Sequence, residues 1–441
     1  MPVQALPNLT VASPYNPLRI ALLGYRSNPY SGGQGVYLKY LSRALVQLGH
    51  SVDVISGEPY PDLDDSVGLV KLPGLNLFAA PNHLTALKVK HLLSITDLFE
   101  WASMASGGFP EPFTFGRRLR RYLKNNPNRY DIIHDNQSLC HALIPIQKQI
   151  PVLSTIHHPI TSDRDIALSN TESRGERMLI RRWHNFLKMQ IKVAKQLPVI
   201  LTVSENSRKD LCKDFGLHES RLHVVHNGID TQDFYPAHKS DEKILRNPWR
   251  LITTASADQP LKGTRHLLRA FAMLLPEFPR LSLTIIGKLK PGGYNEKLCR
   301  KLNIQDRITQ RFDLSIEQIR GLYAESGIAV VPSDYEGFGL PAGEAMACGI
   351  PLVSTDGGAL PEVVGDAGLV VPSKNPEALA EAIKSLLLNP ELANKLSALG
   401  LQRVRSQFSW ERAGSKTVEL YRAHLADKNP AVQSTHGLGK P

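Results

Sequence analysis

The sequence predicts an α/β protein with two doubly wound domains that face each other across a cleft. Short apolar segments alternate with longer amphipathic ones, and this alternation restarts after the polar stretch PAHKSDEKILRNPW. Near-continuous apolar strands between helices are typical of a parallel sheet covered on both faces. A chain of 441 residues is too long for one hydrophobic core and long enough for two.

The first half of the chain supplies the first set of alternating elements. The predicted strands are LRIALLGY, SVDVISG, YDIIHDNQ, PVLSTIHH and VILTVSE. The predicted helices are VYLKYLSRALVQLG and SRKDLCKDFG, and each ends at a glycine suited to a helix C-cap. We place this domain at residues 18–235, after an N-terminal extension of residues 1–17.

The second half repeats the pattern after a linker near residues 236–248. The predicted strands are RLITTAS, LSLTIIGK, GIAVVPS and IPLVST. The segment NPEALAEAIKSLLL begins with asparagine and proline, which favour the cap and first position of a helix. We place this domain at residues 249–410, a last helix at residues 411–426, and a disordered tail at residues 427–441.

Composition narrows the class of protein and its partners. The net charge of +11 favours polyanionic partners, such as phosphorylated substrates, anionic membranes or nucleic acids. Nucleic acid is disfavoured because no zinc-finger or RRM signature is present. The four scattered cysteines predict neither a disulfide framework nor a zinc site. No apolar run approaches the ~20 residues of a membrane span, and the start lacks a secretory signal. We therefore expect a cytoplasmic protein.

The most informative stretch, SDYEGFGLPAGEAMACGIPLVST, follows a predicted strand. Gly337 and Gly339 allow the backbone to turn sharply and approach a ligand, and amides at a helix start favour phosphate. Glu336 and Glu344 flank this loop, where carboxylates can accept hydrogen bonds from sugar hydroxyls. The stretch predicts a nucleotide-sugar site, with one carboxylate for the sugar and one for the ribose. Alternatively, Glu344 only complements a helix N-terminus, worth ~0.3–1 kcal/mol.

Two further motifs lie at predicted strand ends, where open parallel sheets bind ligands. NPYSGGQGVYL is a glycine-rich loop whose amides can cradle a phosphate, although it lacks the GxGxxG spacing of NAD sites. STIHHPI holds His157 and His158, and adjacent side chains of an extended segment point in opposite directions. One of them is therefore expected to enter the cleft. The alternatives are an ordinary strand–helix turn and a structural histidine.

The stretch EGFGLPAGEAMACGIPLVSTDGGALPEVV closely resembles the signature of the family 4 retaining glycosyltransferases, which have the GT-B fold. The segments SGGQGVYLKYLSRALVQLGH, TVSENSRKDL, VVHNGIDTQDF and PLKGTRHLLRAF follow in that family's order, so the resemblance covers roughly residues 18–425. It implies a GT-B fold of two Rossmann-like domains, whose last helix crosses back onto the first. It also implies transfer of a sugar, with retention, from a UDP- or GDP-sugar to a glycan, lipid or small-molecule acceptor.

The resemblance also assigns roles to individual residues. It implies that His157 lies near the reacting centre of the donor sugar, that Lys262 and the Gly33 loop meet the leaving diphosphate, and that Glu336 binds sugar hydroxyls. The remaining donor-binding groups are Glu344 for the ribose and the amides of Phe338, Gly339 and Leu340. Neither a metal ion nor a cofactor is expected, because no DxD-type pair is suitably placed. Many relatives have an arginine where this chain has Ser256, so one cation of the usual pair is missing.

Two basic amphipathic segments could bind an anionic membrane surface. GRRLRRYLKNN and MLIRRWHNFLKMQIKVAKQL mix basic with aromatic and apolar residues, a composition that can lie on an anionic membrane. The alternative is that both are solvated helices whose apolar faces lie in the core. For the chain as a whole, three alternatives to transfer remain: a nucleotide-sugar epimerase, a phosphorylase with a pyridoxal cofactor, and a non-catalytic nucleotide- or membrane-binding scaffold.

Overall fold

The computed structural model describes residues 16–29, 33–77, 87, 89–169, 171–237, 246–255 and 259–428. It contains two wholly parallel sheets, of seven and six strands, with helices between most successive strands of each sheet and a loop without a helix between the second and third strands. The predicted α/β class with two doubly wound domains is therefore confirmed. Ser256, most of the interdomain linker, nearly all of the N-terminal extension and nearly all of the predicted tail lie outside the described residues.

The first sheet has the strand order β3-β2-β1-β4-β5-β6-β7. Its strands are β1 (Arg19–Gly24), β2 (Ser51–Ser56), β3 (Gly68–Lys71), β4 (Ile132–Asn136), β5 (Val152–Ile156), β6 (Ile200–Thr202) and β7 (Leu222–Val224). The helices of this half are α1 (Gln34–Gln47), α2 (Ile95–Ala105), α3 (Glu111–Asn125), α4 (Leu143–Ile146), α5 (Thr161–Ser169), α6 (Arg174–Trp183), α7 (Leu187–Ala194) and α8 (Glu205–Phe215).

The second sheet has the order β10-β9-β8-β11-β12-β13. Its strands are β8 (Asn247–Thr254), β9 (Ser282–Ile286), β10 (Ile308–Arg311), β11 (Ser326–Val331), β12 (Leu352–Thr355) and β13 (Leu369–Val371). The helices are α9 (Thr264–Leu274), α10 (Tyr294–Lys301), α11 (Ile316–Glu325), α12 (Leu340–Ala347), α13 (Leu360–Val364), α14 (Pro376–Leu388), α15 (Pro390–Gln407) and α16 (Trp410–Lys428). Short 3₁₀ segments include Pro260–Lys262, directly before α9.

Each sheet is covered on both faces, and strand β1 shows how. Ala21 and Leu23 lie in one buried cluster with side chains of α3, α7 and α8, while Ile20 and Leu22 lie in another with α1 and α16. Side chains alternate across a strand, so a strand buried on both faces must be apolar at every position. This explains the uninterrupted apolar run of β1.

The last helix, α16, packs on α1 and so crosses back to the first domain. A Cβ added to Gly414 would lie 3.0 Å from the Cβ of Ala44, which shows how closely the helices approach. Tyr421 is fully buried, and its hydroxyl lies 2.6 Å from Nδ1 of His134 in β4. The expected crossing of the C-terminal helix is confirmed, and the helix itself runs from Trp410 to Lys428.

Both sheets reverse their order of connection beside their first strand. In the first sheet β1 lies between β2 and β4, and in the second β8 lies between β9 and β11. Loops that leave two such neighbouring strands diverge and open a crevice at their carboxyl ends, where doubly wound sheets bind ligands. The loops after β1, β8 and β11 therefore define the candidate site.

Candidate active site in the interdomain cleft

Lys262 and Glu336 meet at the crevice of the second sheet. Lys262 ends the 3₁₀ segment after β8, and its Nζ lies 2.7 Å from Oε1 of Glu336 in the loop after β11. Ser333 donates a hydrogen bond of 2.8 Å to the same oxygen. The two charged side chains are only 17% and 11% exposed. The fold thus brings together a cation and a carboxylate that lie 74 residues apart.

The loop after Glu336 presents bare backbone to the cleft. Gly339 has a φ of +103°, which L side chains rarely adopt, and it precedes α12 without a side-chain cap. The amides of Phe338, Gly339 and Leu340 donate to no acceptor in the described part of the chain. The Phe338 ring is buried against Phe408, with ring centroids 5.6 Å apart. Phe338 is therefore available to a ligand through its backbone.

Glu344 differs from Glu336 because it has no ion-pair or hydrogen-bond partner for its carboxylate among the described residues. It lies in the second turn of α12 and is half-buried. Burial raises the pKa of this carboxyl to about 7. No acidic residue lies in the first turn of α12, and the helix-dipole effect falls off beyond that turn, so the alternative that Glu344 only complements the helix N-terminus is disfavoured. The carboxylate instead lacks the hydrogen bonds that a bound ligand could donate.

His157 is held rigidly at the end of β5. Its amide donates to Oε1 of Gln137 (2.8 Å), and its Nε2 lies 2.6 Å from Oδ1 of Asn136. The amide nitrogen of Asn136 donates to the carbonyl of Gln34, so Nε2 of His157 must be the donor and Nδ1 remains an acceptor. Burial lowers the pKa of His157 to about 3, and the neighbouring His158 adds to the effect. The ring is therefore neutral near pH 7.

His158 lies directly against the second domain. A Cβ added to Gly337 would lie 3.1 Å from Cβ and 3.2 Å from Nδ1 of His158, so only glycine fits between the two segments. The other ring nitrogen, Nε2, lies 3.2 Å from Oδ2 of Asp163. Burial lowers the pKa of His158, but Asp163 and Glu336 more than offset this, and the net shift is upward. The pKa values of the two adjacent histidines are therefore shifted in opposite directions.

Gly33 lies in the first domain, between β1 and α1. Its φ of +71° requires glycine, and it precedes α1, which has no side-chain cap and no acidic residue in its first turn. A Cβ added there would meet nothing within 4 Å. The preceding residues 30–32 lie outside the described part of the chain. The space beside the start of α1 suits a ligand with negative charge.

Sequence analysis missed two serines at the start of α8. Ser204 and Ser207 are fully buried, and both hydroxyls reach the carbonyl oxygen of Gly337, at 2.7 and 3.2 Å. The only local signal is a serine that precedes a helix beginning with glutamate, which predicts a helix cap. It does not predict a contact with a loop more than a hundred residues away.

Two family models match this chain. One, described as Glycosyltransferase Family 4, matches residues 31–233, and another, described as Glycosyl transferases group 1, matches residues 238–403. A similar protein, the MMP α-(1→4)-mannosyltransferase of Mycolicibacterium hassiacum, is 42% identical over 93% of this chain and 99% of its own length. The chain belongs to glycosyltransferase family 4. This family 4 enzyme is a hexosyltransferase that uses a nucleotide-sugar donor.

Other matches agree with this assignment. A D-inositol 3-phosphate glycosyltransferase of Nocardiopsis dassonvillei is 26% identical over 93% of this chain and 96% of its own length. Sucrose-phosphate synthase from Thermosynechococcus elongatus has the same fold, with a TM-score of 0.71 and 23% identity over 93% of this chain and 100% of that one. HepE from Anabaena, solved with UDP and glucose, gives a TM-score of 0.67 and 15% identity over 92% and 100%. The expected GT-B fold of the family 4 enzyme is confirmed.

The described residues lack both a membrane-spanning helix and a metal-binding cluster. None of the described helices combines the length and hydrophobicity that a bilayer crossing requires. The described residues also contain no group of three or more His, Cys, Asp and Glu side chains arranged to hold a metal ion.

Proposed function

We propose that this family 4 enzyme is a retaining α-(1→4)-mannosyltransferase. It moves mannose from a nucleoside-diphosphate mannose to the O4 hydroxyl of a glycan acceptor. The observation that carries the proposal is the 42% identity with the MMP α-(1→4)-mannosyltransferase, which extends over 99% of that protein. An α-linked product formed from an α-linked donor implies retention of configuration.

The geometry of the cleft supports a specific placement of the donor. The mannose hydroxyls bind Glu336, and the ribose hydroxyls bind the unpartnered Glu344. The diphosphate lies between Lys262, the bare amides of residues 338–340 and the start of α1 after Gly33. Lys262 must then exchange the carboxylate of Glu336, now 2.7 Å away, for a phosphate oxygen. His157, neutral and fixed by Asn136, offers Nδ1 as an acceptor to a sugar hydroxyl.

In the proposed reaction the bond between C1 of mannose and the diphosphate oxygen breaks, and the acceptor oxygen bonds to C1 on the same face. The proton of the acceptor hydroxyl passes to the departing phosphate oxygen. Lys262 and the bare amides stabilise the negative charge that develops on that oxygen. The remaining contribution is positioning of the two substrates. We propose that no metal ion takes part, because these groups supply the positive charge.

The test is an incubation of the purified enzyme with GDP-mannose, UDP-mannose or the matching glucose donors, together with a short α-(1→4)-mannoside. We expect one mannose donor to yield a longer mannoside, whose new linkage is α by the one-bond C1–H1 coupling in NMR spectra. We expect EDTA to leave the rate unchanged. We expect Glu336→Ala to abolish transfer without unfolding the protein.

Several outcomes would contradict the proposal. A β-linked product would exclude retention, and strict metal dependence would exclude the role given to Lys262. An epimerase would convert the donor without an acceptor, and a phosphorylase would require inorganic phosphate. A scaffold would bind the donor and convert nothing. Transfer only to inositol phosphate would contradict the glycan acceptor and would match the names of the D-inositol 3-phosphate glycosyltransferase relatives.

The two basic segments differ in whether their apolar side chains are exposed. In α3, the apolar residues Leu119 and Leu123 are buried in the core, so its basic face is a solvated surface. In α6, Met178 and Leu179 are 67% and 54% exposed. We propose that α6 is the segment that contacts an anionic membrane surface. A smaller fraction of the Met178→Ser/Leu179→Ser variant than of wild type should sediment with phosphatidylglycerol vesicles. Equal fractions for the two proteins would contradict the proposal.

A further inference from the structure

The carbonyl oxygen of Gly337 is the meeting point of the two domains beside the donor loop. It accepts a hydrogen bond of 2.7 Å from the hydroxyl of Ser204 and lies 3.2 Å from that of Ser207. The Ser207 hydroxyl also lies 2.9 Å from the carbonyl of His157. Its single proton is therefore shared between a carbonyl of each domain.

This carbonyl belongs to the same peptide unit as the N–H of Phe338. In a trans peptide the C=O and N–H bonds point in opposite directions. The serines that hold the oxygen of Gly337 therefore fix the N–H of Phe338 to point away from α8. That N–H donates to no acceptor among the described residues. Hydrogen bonds accepted at the oxygen also polarise the peptide and strengthen the N–H as a donor.

The first turn of α8 is itself anchored to the second domain. The carboxylate of Glu362 accepts from the amide of Glu205 at 2.9 and 3.0 Å and from Nε2 of His226 at 2.6 Å. Ser204 also caps the helix, because its Oγ accepts from the amide of Ser207 at 3.0 Å. The two serines therefore have little freedom to move independently of the donor loop.

We propose that Ser204 and Ser207 are positioning residues that orient the Gly337–Phe338 peptide so that its amide meets the donor. The proposal rests on the proposed function, because it takes the donor to bind at this loop. It also means that the loop reaches its productive orientation only when the domains are closed, since the serines and the loop belong to different domains.

The test compares each serine with a matched serine outside the cleft. Ser204→Gly removes the hydroxyl but keeps a tolerated helix cap, and Ser315→Gly does the same at the cap of α11. Ser207→Ala removes a buried hydroxyl, and Ser326→Ala does the same for the buried Ser326, which donates to Leu322. Transfer kinetics and melting temperature are measured for all four variants, for the Ser204→Gly/Ser207→Ala double variant and for wild type.

We expect Ser204→Gly to lower kcat about tenfold or more, because small misplacements in a site are costly. Ser207→Ala should act in the same direction, and the double variant should have the largest loss. Each control should lose some melting temperature and keep kcat. If the cleft variants lose no more activity than their controls while wild type transfers mannose, the inference is wrong and the proposed function stands.

If the wild-type enzyme shows no transfer activity, donor binding tests the inference instead. The dissociation constant of GDP-mannose or UDP-mannose, by calorimetry, should then rise for the cleft variants and not for the controls. Equal constants for the variants and controls overturn the inference. Failure of wild type to bind either donor overturns both the inference and the proposed function.

Discussion

At the scale of single residues, Glu344 should make donor binding depend on pH. Its pKa of about 7 means that roughly half of the carboxyls are protonated at neutral pH. Ribose hydroxyls donate to the ionised form, so donor binding should favour it. We predict that the dissociation constant of the donor rises about tenfold from pH 8 to pH 6, and calorimetry measures it. Glu344→Gln should bind weakly with a much smaller pH dependence. An equal dependence in both proteins would assign it to another group.

The same residue should make the free enzyme less stable at higher pH. The folded pKa of about 7 lies above the ordinary value of 4.5. The favourable contribution of the protonated form is therefore present below pH 4.5 and lost as pH rises through 7. We predict that Glu344→Gln is more stable than wild type at pH 8, by at most about 3 kcal/mol because the group is partly solvated. The gain should be smaller at pH 5. Urea unfolding without donor measures both, and a destabilised variant at pH 8 would contradict the burial argument.

Residue chemistry was only partly predictable from the sequence. The spacing of Glu336 and Glu344 around a glycine-rich loop predicts two carboxylates near bare backbone. It gave no sign that Glu336 is paired with Lys262 and Glu344 is not. That difference depends on the adjacency of β8 and β11, which brings residues 74 positions apart into contact. The placement of Ser207 against Gly337 depends on contact over 130 positions.

At the scale of elements, helix α8 and Glu362 form a contact between the domains that can be measured. Burial raises the pKa of Glu362, but the hydrogen bonds from His226 and the α8 amides outweigh it, and the net pKa is lowered. Its stabilising contribution is therefore present above the unfolded pKa and lost as pH falls through the folded value. We predict that Glu362→Gln lowers stability by about 1–2 kcal/mol at pH 7.

The pH dependence provides the control for Glu362. At pH 4 the difference between wild type and Glu362→Gln should shrink, because the unfolded chain takes up a proton at Glu362 below its ordinary pKa of 4.5, whereas the folded protein resists protonation there. Urea unfolding at the two pH values measures it, and the first transition is used since the domains need not unfold together. A difference that is the same at both pH values would show that the charge of Glu362 is not what stabilises α8.

Elements buried on both faces were predictable, and marginal ones were not. The predicted strand GIAVVPS matches β11, which is buried along its whole length. Strands β3 and β10 lie at sheet edges and have only partly buried or exposed residues. With one neighbouring strand and a solvated face, an edge strand needs no apolar run, so periodicity does not reveal it. The basic segment at α3 gave an ambiguous pattern because its apolar side packs in the core.

At the scale of the whole molecule, the two sheets place the site. Each has its change of connection beside the first strand, and the loop after β11 meets the end of β5 at Gly337. The alternation of strands and helices predicted both domains. It did not predict how closely the domains approach at Gly337, where only a glycine fits against His157 and His158. Such a contact depends on the relative placement of two cores, which no local pattern encodes.

The central claim is that this cleft binds a nucleoside-diphosphate mannose through the two carboxylates of the donor motif. The most direct measurement is calorimetric titration of GDP-mannose and UDP-mannose at pH 8 into wild type, Glu344→Gln and Glu377→Gln, a control at an exposed residue of α14. We predict that one donor binds wild type and the control equally and binds Glu344→Gln at least about tenfold more weakly. Equal affinity in all three proteins would contradict the account, because the donor would then lie elsewhere.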